Sequence, residues 1–518
     1  MAKGNGKANG SSTKSSVIES FNPATGEKIG EVPVFSTEQA QDAIRRCREA
    51  QKVWGKLSVK ARAERILAFK DVLIDHADEV ARLLTMENGK TLQESVEMEI
   101  MPICDLSSYF AKNAERILAN HQIPLHLLKH KASYVQYRPR GIILVISPWN
   151  FPFSIPMGEV IMALIAGNGV ILKPASLTPL IAVKARKLFD EAGLPSDIFQ
   201  VITGPGRLGS EMIGMGVNFV NFTGSTAVGK VVAAESGKHL LQCSMELGGK
   251  DPMIVCSDAS VERAANAAVF GAFANSGQVC ASVERVYVVK DVYDKFVDRV
   301  VEKTKKLRQG NPLENVDVGA MTDPGQIDVV EQHVQKALAS GAKVLVGGSR
   351  PANLKGQFFA PTVMVDVNDE MECVRDETFG PTLPILRVND EEEAIQRSNN
   401  SVYGLNAYVF TKDKTRGRAL AERLEAGTVM VNDVLMTHAA PETPWGGVKE
   451  SGIGRVHSDE GLRHMCEAYH INWDRISLGD KELFWYPMSH QNYKRMLGAV
   501  KVAFRSGITN KISALLGN

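Results

Sequence analysis

Gly141-Ile142-Ile143-Leu144-Val145-Ile146-Ser147-Pro148-Trp149-Asn150-Phe151-Pro152 is a β-branched apolar run that stops abruptly at a polar, aromatic and proline-bearing turn. A run this short, rich in Ile and Val, reads as a strand covered on both faces. Gly169-Val170-Ile171-Leu172 repeats it after a helical segment, and this alternation of strand and helix is the rhythm of a parallel α/β sheet. The rhythm starts near Tyr134 and resumes after Gly248, with helices expected at Ser260 to Ala274 and Val292 to Leu307. A second α/β unit is therefore expected to carry Cys280 and to meet the first at a cleft. Upstream, Phe21-Asn22-Pro23-Ala24-Thr25-Gly26-Glu27 carries the turn residues of an opening β-hairpin. Thr37 to Lys56 and Val59 to Asn88 then have apolar residues at helical spacing.

The bulk numbers bound the function. A chain of 518 residues has room for roughly three domains or sub-domains. Its 44% hydrophobic and 23% charged residues are those of a globular protein, and a formal charge of +1 argues against nucleic-acid binding. Seven scattered cysteines without a Cys-x-x-Cys pair suggest neither a disulfide framework nor a zinc ribbon, which fits a reducing, cytoplasmic setting. Residues 1–16, made largely of Gly, Asn, Ser and Lys, read as a disordered tail rather than a secretory signal. Gly141 to Ser147 and Val160 to Leu172 are too short or too interrupted to span a bilayer. His126 and His130 stand at i,i+4 without the neighbouring Glu of a zinc-protease helix, so no metal site is expected.

Three loops point to a dinucleotide. Gly204-Pro205-Gly206-Arg207-Leu208-Gly209 formally matches G-x-G-x-x-G after the apolar Phe199 to Ile202; the same glycines also suit a plain turn before a helix. Thr223-Gly224-Ser225 opens a helix whose free amides would favour a phosphate, with the Ser225 hydroxyl as a further donor. Lys173, at a strand end, could reach ribose hydroxyls, although a lysine is more commonly a solvated surface charge.

Cys280, in Asn275-Ser276-Gly277-Gln278-Val279-Cys280, is a candidate nucleophile, which requires a lowered thiol pKa; buried intracellular cysteines are more often inert. Glu246, in Glu246-Leu247-Gly248-Gly249-Lys250, would act as a base only in a partly apolar setting. Asn150, between Trp149 and Phe151, could present its amide rigidly to an oxyanion, and equally could mark a turn. A Cys-His hydrolase using His438 is an alternative, but it leaves the dinucleotide loops unexplained.

Taken in order, these motifs resemble the aldehyde dehydrogenase superfamily over nearly the whole chain, from Asn22-Pro23-Ala24-Thr25-Gly26 to Pro444-Trp445-Gly446-Gly447-Val448-Lys449-Glu450-Ser451-Gly452. The resemblance implies an NAD(P)-dependent oxidation of an aldehyde to the acid. Cys280 is then the nucleophile and Glu246 the general base, with Asn150 and the Cys280 amide as oxyanion donors. Lys173, Ser225 and Glu377 match cofactor contacts, with Trp149 and Phe379 beside them, and Ser176, Gly206 and Gly224 join that set. Relatives that prefer NAD often carry Glu where Ser176 stands, so both NAD and NADP are expected. Glu246 favours hydrolysis over transfer to coenzyme A; a coenzyme A-acylating semialdehyde dehydrogenase and a non-catalytic protein on the same fold are the alternatives.

The implied fold is α/β. It comprises a Rossmann-like cofactor domain (17–119 and 138–247), a catalytic domain (248–445), and oligomerisation elements (120–137 and 466–487) that give a homodimer or homotetramer. Residues 488–518 remain as an extension. Within it, Leu497, Val500, Phe504, Ile508, Ile512 and Leu515 fall at helical spacing over 493–516, among Lys494, Arg495, Lys501, Arg505 and Lys511. This basic amphipathic pattern suits peripheral contact with an anionic membrane, a helix lying across the substrate mouth, or a helix docked on the protein's own dimer. Val279 and Met436 suit a medium- or long-chain or aromatic aldehyde, with the loop Leu435 to Glu442 governing chain length.

Overall fold

The computed structural model describes residues 17–477, 479–482 and 485–507. The expected tail over 1–16, and Ile508, Lys511, Ile512 and Leu515 of the C-terminal pattern, lie outside the described residues. The chain forms two compact units: one runs to Leu118 and takes in Arg138–Glu467, and the other holds Ala119–Tyr137 and the chain from Ala468.

The larger unit is built on two sheets. The first contains β1 (Ile142–Ile146), β2 (Gly169–Lys173), β3 (Phe199–Val201), β4 (Phe219–Thr223) and β5 (Cys243–Glu246), all parallel, in the order β3-β2-β1-β4-β5. The second contains β6 (Asp251–Val255), β7 (Val283–Val289), β8 (Lys343–Val346), β9 (Thr362–Val365), β10 (Thr382–Val388), β11 (Asn406–Phe410) and β12 (Thr428–Val431). Its order is β8-β9-β10-β7-β6-β11-β12, parallel except for the edge strand β8. The short β13 (Gly452–Ile453) returns to the first sheet and pairs antiparallel with β5, Gly452 opposite Glu246. The strands β1, β2 and β6 are apolar because helices cover both faces; almost every residue in them is buried.

The helix Ser154–Ala166 is buried along all thirteen of its residues. It is apolar nearly all round, as a helix enclosed on every side must be. Glu159 is its one charged residue. The opening hairpin forms from Val17–Phe21 and Lys28–Pro33. The helix Thr37–Trp54 starts at a capping box made by Ser36 and Gln39. The continuous helix expected over Val59 to Asn88 is two helices, Val59–Asp75 and Ala77–Asn88, broken at His76. No Gly or Pro marks this break; the His76 ring sits between Glu79 and Glu191, at 3.0 and 3.1 Å. The other two expected helices form as Val261–Phe273 and Lys290–Thr304.

In the smaller unit, strand Lys131–Pro139 pairs with His121–Gln122 on one side and lies beside Cys466–Asp474 on the other. Ser133 Oγ and His470 Nε2 lie 2.6 Å apart, and Tyr134 meets Trp473 edge-on at 5.4 Å. The C-terminal helix is His490–Phe504, so it starts three residues earlier and ends sooner than the stripe over 493–516 implies. Arg505 is extended and Gly507 has φ +86°, which stops the helical path.

Candidate active site

The strand order of the first sheet reverses direction between β1 and β4, and ligands of open parallel sheets bind at the carboxyl ends beside such a reversal. Those ends carry Pro148-Trp149-Asn150 after β1, Lys173 on β2, Gly224-Ser225 after β4 and Glu246 on β5. Ser225 caps the helix Thr226–Lys238 through the Val228 amide. A groove of about 250 Å3 runs over these ends and gathers Trp149, Asn150, Gly224, Ser225, Glu246, Cys280, Glu377 and Phe379. Trp149 and Phe379 meet edge-on with centroids 5.5 Å apart. Lys173, Ser176 and Gly206 are not part of that lining. They stand at the neighbouring ends of β2 and β3, where Ser176 Oγ donates to the Gly204 carbonyl at 3.2 Å. Lys173 is not a solvated surface lysine: it is buried, its Nζ donates to the Pro174 carbonyl at 2.9 Å, and burial pulls its pKa down to about 8.

Cys280 follows a strained turn. Asn275, Ser276 and Gly277 have φ of +48°, +55° and +74°, a path that costs on the order of 1–3 kcal/mol for each non-glycine residue. Only glycine fits at 277, since a Cβ there would lie 2.2 Å from the Gly380 carbonyl oxygen. Buried bonds hold the turn: the Asn275 amide donates to Glu94 Oε1 at 2.7 Å, and Ser276 Oγ donates to the Gly319 carbonyl at 3.0 Å. Asn150 is located by the same network. Its Nδ2 donates to the Gln278 carbonyl at 3.0 Å, while its own carbonyl accepts from Lys90 Nζ and Asn275 Nδ2, each at 2.9 Å. An amide nitrogen carries two protons, so one orients Asn150 and the second is available to another acceptor.

Lys90 belongs to a buried pair that the sequence reading passed over. Its Nζ lies 2.5 Å from Glu99 Oε1, and both side chains are fully buried. Glu99 Oε2 accepts from the Phe153 and Ser154 amides at 3.2 and 2.6 Å, capping the central helix. Glu99 stands in a π-helical turn, Val96–Ile100, a geometry that often accompanies functional sites. Glu284 similarly holds the loop after Glu377: it accepts from the Thr378 and Phe379 amides at 2.8 and 2.9 Å and pairs with Lys250 at 2.6 Å. Glu377 itself accepts from the Gly249 amide at 2.9 Å, and burial followed by Glu284 pushes it up to about 8.

The electrostatics run against the lowered thiol pKa that the nucleophile requires. Burial, then the carboxylates of Asp251, Glu246 and Glu377, raise the Cys280 thiol well above its ordinary range. Glu246 is also raised well above a normal carboxyl, first by burial and then by Glu159, and the Arg455 guanidinium opposes this. Neither of its oxygens has a hydrogen-bond partner among the described residues. This is the apolar setting that a general base needs.

On its other side, Cys280 opens into a cavity of about 1010 Å3. Its wall is chiefly apolar, with Ile74, Met98, Ile100, Met101, Phe151, Phe270 and Met436. The charged lining residues are Lys70, Glu97, Asp105 and Glu442. His438 lines this cavity too, with its ring 5.0 Å from Trp445. Among the described residues no cluster could hold a metal ion.

Residues 10–471 match the sequence model of the aldehyde dehydrogenase family. The chain is 37% identical over 483 residues to 4,4'-diapolycopene aldehyde oxidase of a Methylomonas species, covering 93% of this chain and 90% of that protein. It is 37% identical over 454 residues to a putative succinate-semialdehyde dehydrogenase [NADP(+)] of Mycolicibacterium smegmatis, covering 87% and 88%. Among solved structures it is similar to the NAD+ complex of an aldehyde dehydrogenase from Bacillus cereus. There the TM-score is 0.85 and the identity 33%, over 88% of this chain and 93% of that one.

Proposed function

The chain belongs to the aldehyde dehydrogenase family and is an NAD(P)-dependent oxidoreductase of its α/β fold, and from this premise we propose that it oxidises an apolar aldehyde to the carboxylic acid by hydrolysis of a Cys280 thioester. The observation that carries the reading is the position of Cys280, which lines both the groove over the strand ends and the large apolar cavity. The groove suits a dinucleotide: Gly224 and Ser225 bring a helix N-terminus to it, and Trp149 and Phe379 supply flat apolar surface. NAD(P) bound there supplies the hydride acceptor and a cationic ring whose charge offsets the carboxylates that now keep the thiol protonated.

Cys280 Sγ, once deprotonated, adds to the aldehyde carbon, and Asn150 Nδ2 donates to the oxygen that becomes negative. Oxidation of this thiohemiacetal leaves a thioester on Cys280. Glu246 then takes a proton from water as the water attacks the acyl carbon, and the C–S bond breaks. A buried carboxyl next to Cys280 supports water as the acceptor rather than coenzyme A. Lys173 and Ser176 serve the ribose end of the cofactor, and the small neutral Ser176 admits a 2′-phosphate as well as the free hydroxyl.

The cavity supports a substrate of medium to long chain. Its lining carries one cation, Lys70, against three carboxyl groups, so a carboxylate on the substrate would meet repulsion. The Methylomonas relative's name denotes such an apolar aldehyde and the Mycolicibacterium relative's a carboxylated one; the cavity charge favours the first. Product analysis with octanal and succinate semialdehyde, each with NAD or NADP and with or without coenzyme A, tests the reading. Free octanoate as the main product supports it; an acyl-coenzyme A product or faster turnover of succinate semialdehyde overturns it.

A second reading concerns partners. The three-stranded sheet of the smaller unit serves subunit association, and helix His490–Phe504 rests on an anionic membrane. The helix leaves Tyr493, Met496, Leu497, Val500 and Phe504 exposed, and residues 490–507 include four Lys or Arg and no acid.

A further inference from the structure

Behind Cys280 lies a chamber of about 20 Å3, room for about one water molecule. Its polar lining residues come from five separate elements: Glu159 on the central helix, Thr223 at the end of β4, Glu246 on β5, His438 in the turn Met436–Ala439, and His457 at the start of helix Ser458–His464. The remaining walls include Ile155, Leu247, Leu405, Trp445 and Val456. Both Glu246 oxygens and His457 Nδ1 are buried without a hydrogen-bond partner among the described residues. His457 Nε2 faces the central helix at Gly158, the residue before Glu159. The His457 and His438 rings are 4.9 Å apart, and His438 also lines the open substrate cavity.

We propose that Glu159, His457 and His438 form the route by which the proton taken from the hydrolytic water leaves Glu246 for the substrate cavity. The inference rests on Glu246 being the base of thioester hydrolysis. In that step the water oxygen bonds to the acyl carbon, the C–S bond breaks with its electron pair on Cys280, and one water proton goes to Glu246. The next turnover requires Glu246 to be ionised again; it lines the groove on one side and this chamber on the other, and with a dinucleotide filling the groove the chamber is the way out. Glu159 passes its own proton to one His457 nitrogen while the other nitrogen releases one toward His438, and it takes up the Glu246 proton through a chamber water. No oxidant or other reactant is needed. Burial pushes Glu159 up to about 8, so it exchanges protons near neutrality. Burial likewise lowers both histidines, His438 to about 4, so they hand on a proton rather than store it. Arg455, held by the Gly447 and Gly454 carbonyls, and the Cys280 thiol are the other ionisable groups that face this set.

The test compares full-length wild type with Glu159→Gln, His457→Phe and Glu246→Gln, using octanal and NADP, with acid quenching and mass spectrometry of the acyl group on Cys280. Acyl-enzyme should accumulate in Glu159→Gln and His457→Phe, with steady-state rates lowered about ten- to hundredfold. Added imidazole should restore hydrolysis in a His457→Ala variant, where removal of the ring leaves space for it. Wild-type hydrolysis in both variants, or a slow rate that imidazole leaves unchanged, overturns the route. Failure of Glu246→Gln itself to accumulate acyl-enzyme would instead remove the assignment of the base.

Discussion

At the residue scale, the three groups proposed to react depend on surroundings that differ in kind. Cys280 is kept protonated by burial and by carboxylates. Cys280→Ala should therefore abolish NAD(P)H formation without lowering the thermal midpoint, as followed by absorbance and calorimetry. In the proposed mechanism Asn150 contributes through its second Nδ2 proton, the first being held by the Gln278 carbonyl. Asn150→Ala should lower kcat by about 10²–10³, roughly 3–4 kcal/mol of barrier, measured at saturating aldehyde. Glu159 makes a stability prediction. Its carboxyl is raised from 4.5 to about 8, so the folded form holds a proton that the unfolded chain has lost. Its stabilising contribution is complete below about pH 4.5, declines as pH rises, and is gone above about 8. Urea unfolding from pH 5 to 8 should show Glu159→Gln gaining on wild type as pH rises; a constant gap would refute this. The sequence displayed Cys280, Glu246 and Asn150 because each sits in an ordered motif. It could not display Lys90, Glu99 or Glu159, because nothing local separates a buried charge from a solvated one.

Among the elements, the central helix and the π-turn are locked together by one ion pair. Lys90→Ala would leave the Glu99 carboxylate buried without its cation, at a cost of about 3–5 kcal/mol in urea unfolding. It should also lower kcat, because Lys90 holds the Asn150 carbonyl. Strands and most helices were legible here. Short β-branched runs declare themselves, and helix Thr37–Trp54 carries its own cap. The break at His76 was not legible, because its stabilising partner Glu191 lies 115 positions away. Gly206 has the reverse character: the glycine motif is plain in the sequence, yet a Cβ at Gly206 meets nothing within 4 Å, and its close match to a phosphate loop does not place it on the groove with Cys280.

For the whole molecule, the C-terminal helix provides the test of membrane contact. The full chain should co-sediment with vesicles containing phosphatidylglycerol, and a chain ending at Pro487 should not; equal partitioning would reject the helix as the contact. High salt should weaken the association, because four basic residues supply its electrostatic part. No helix among the described residues is long and apolar enough to cross a membrane. By itself the sequence determined the α/β class, the parallel sheets, the family and the order of the reacting motifs, since periodicity and local motif are properties of neighbouring residues. Only the tertiary structure decided that Cys280 lies where a groove over the strand ends, an apolar cavity and a small chamber meet. It also decided which charges are buried, because burial is set by segments far apart in the chain, and burial governs whether a carboxyl or a thiol carries its proton.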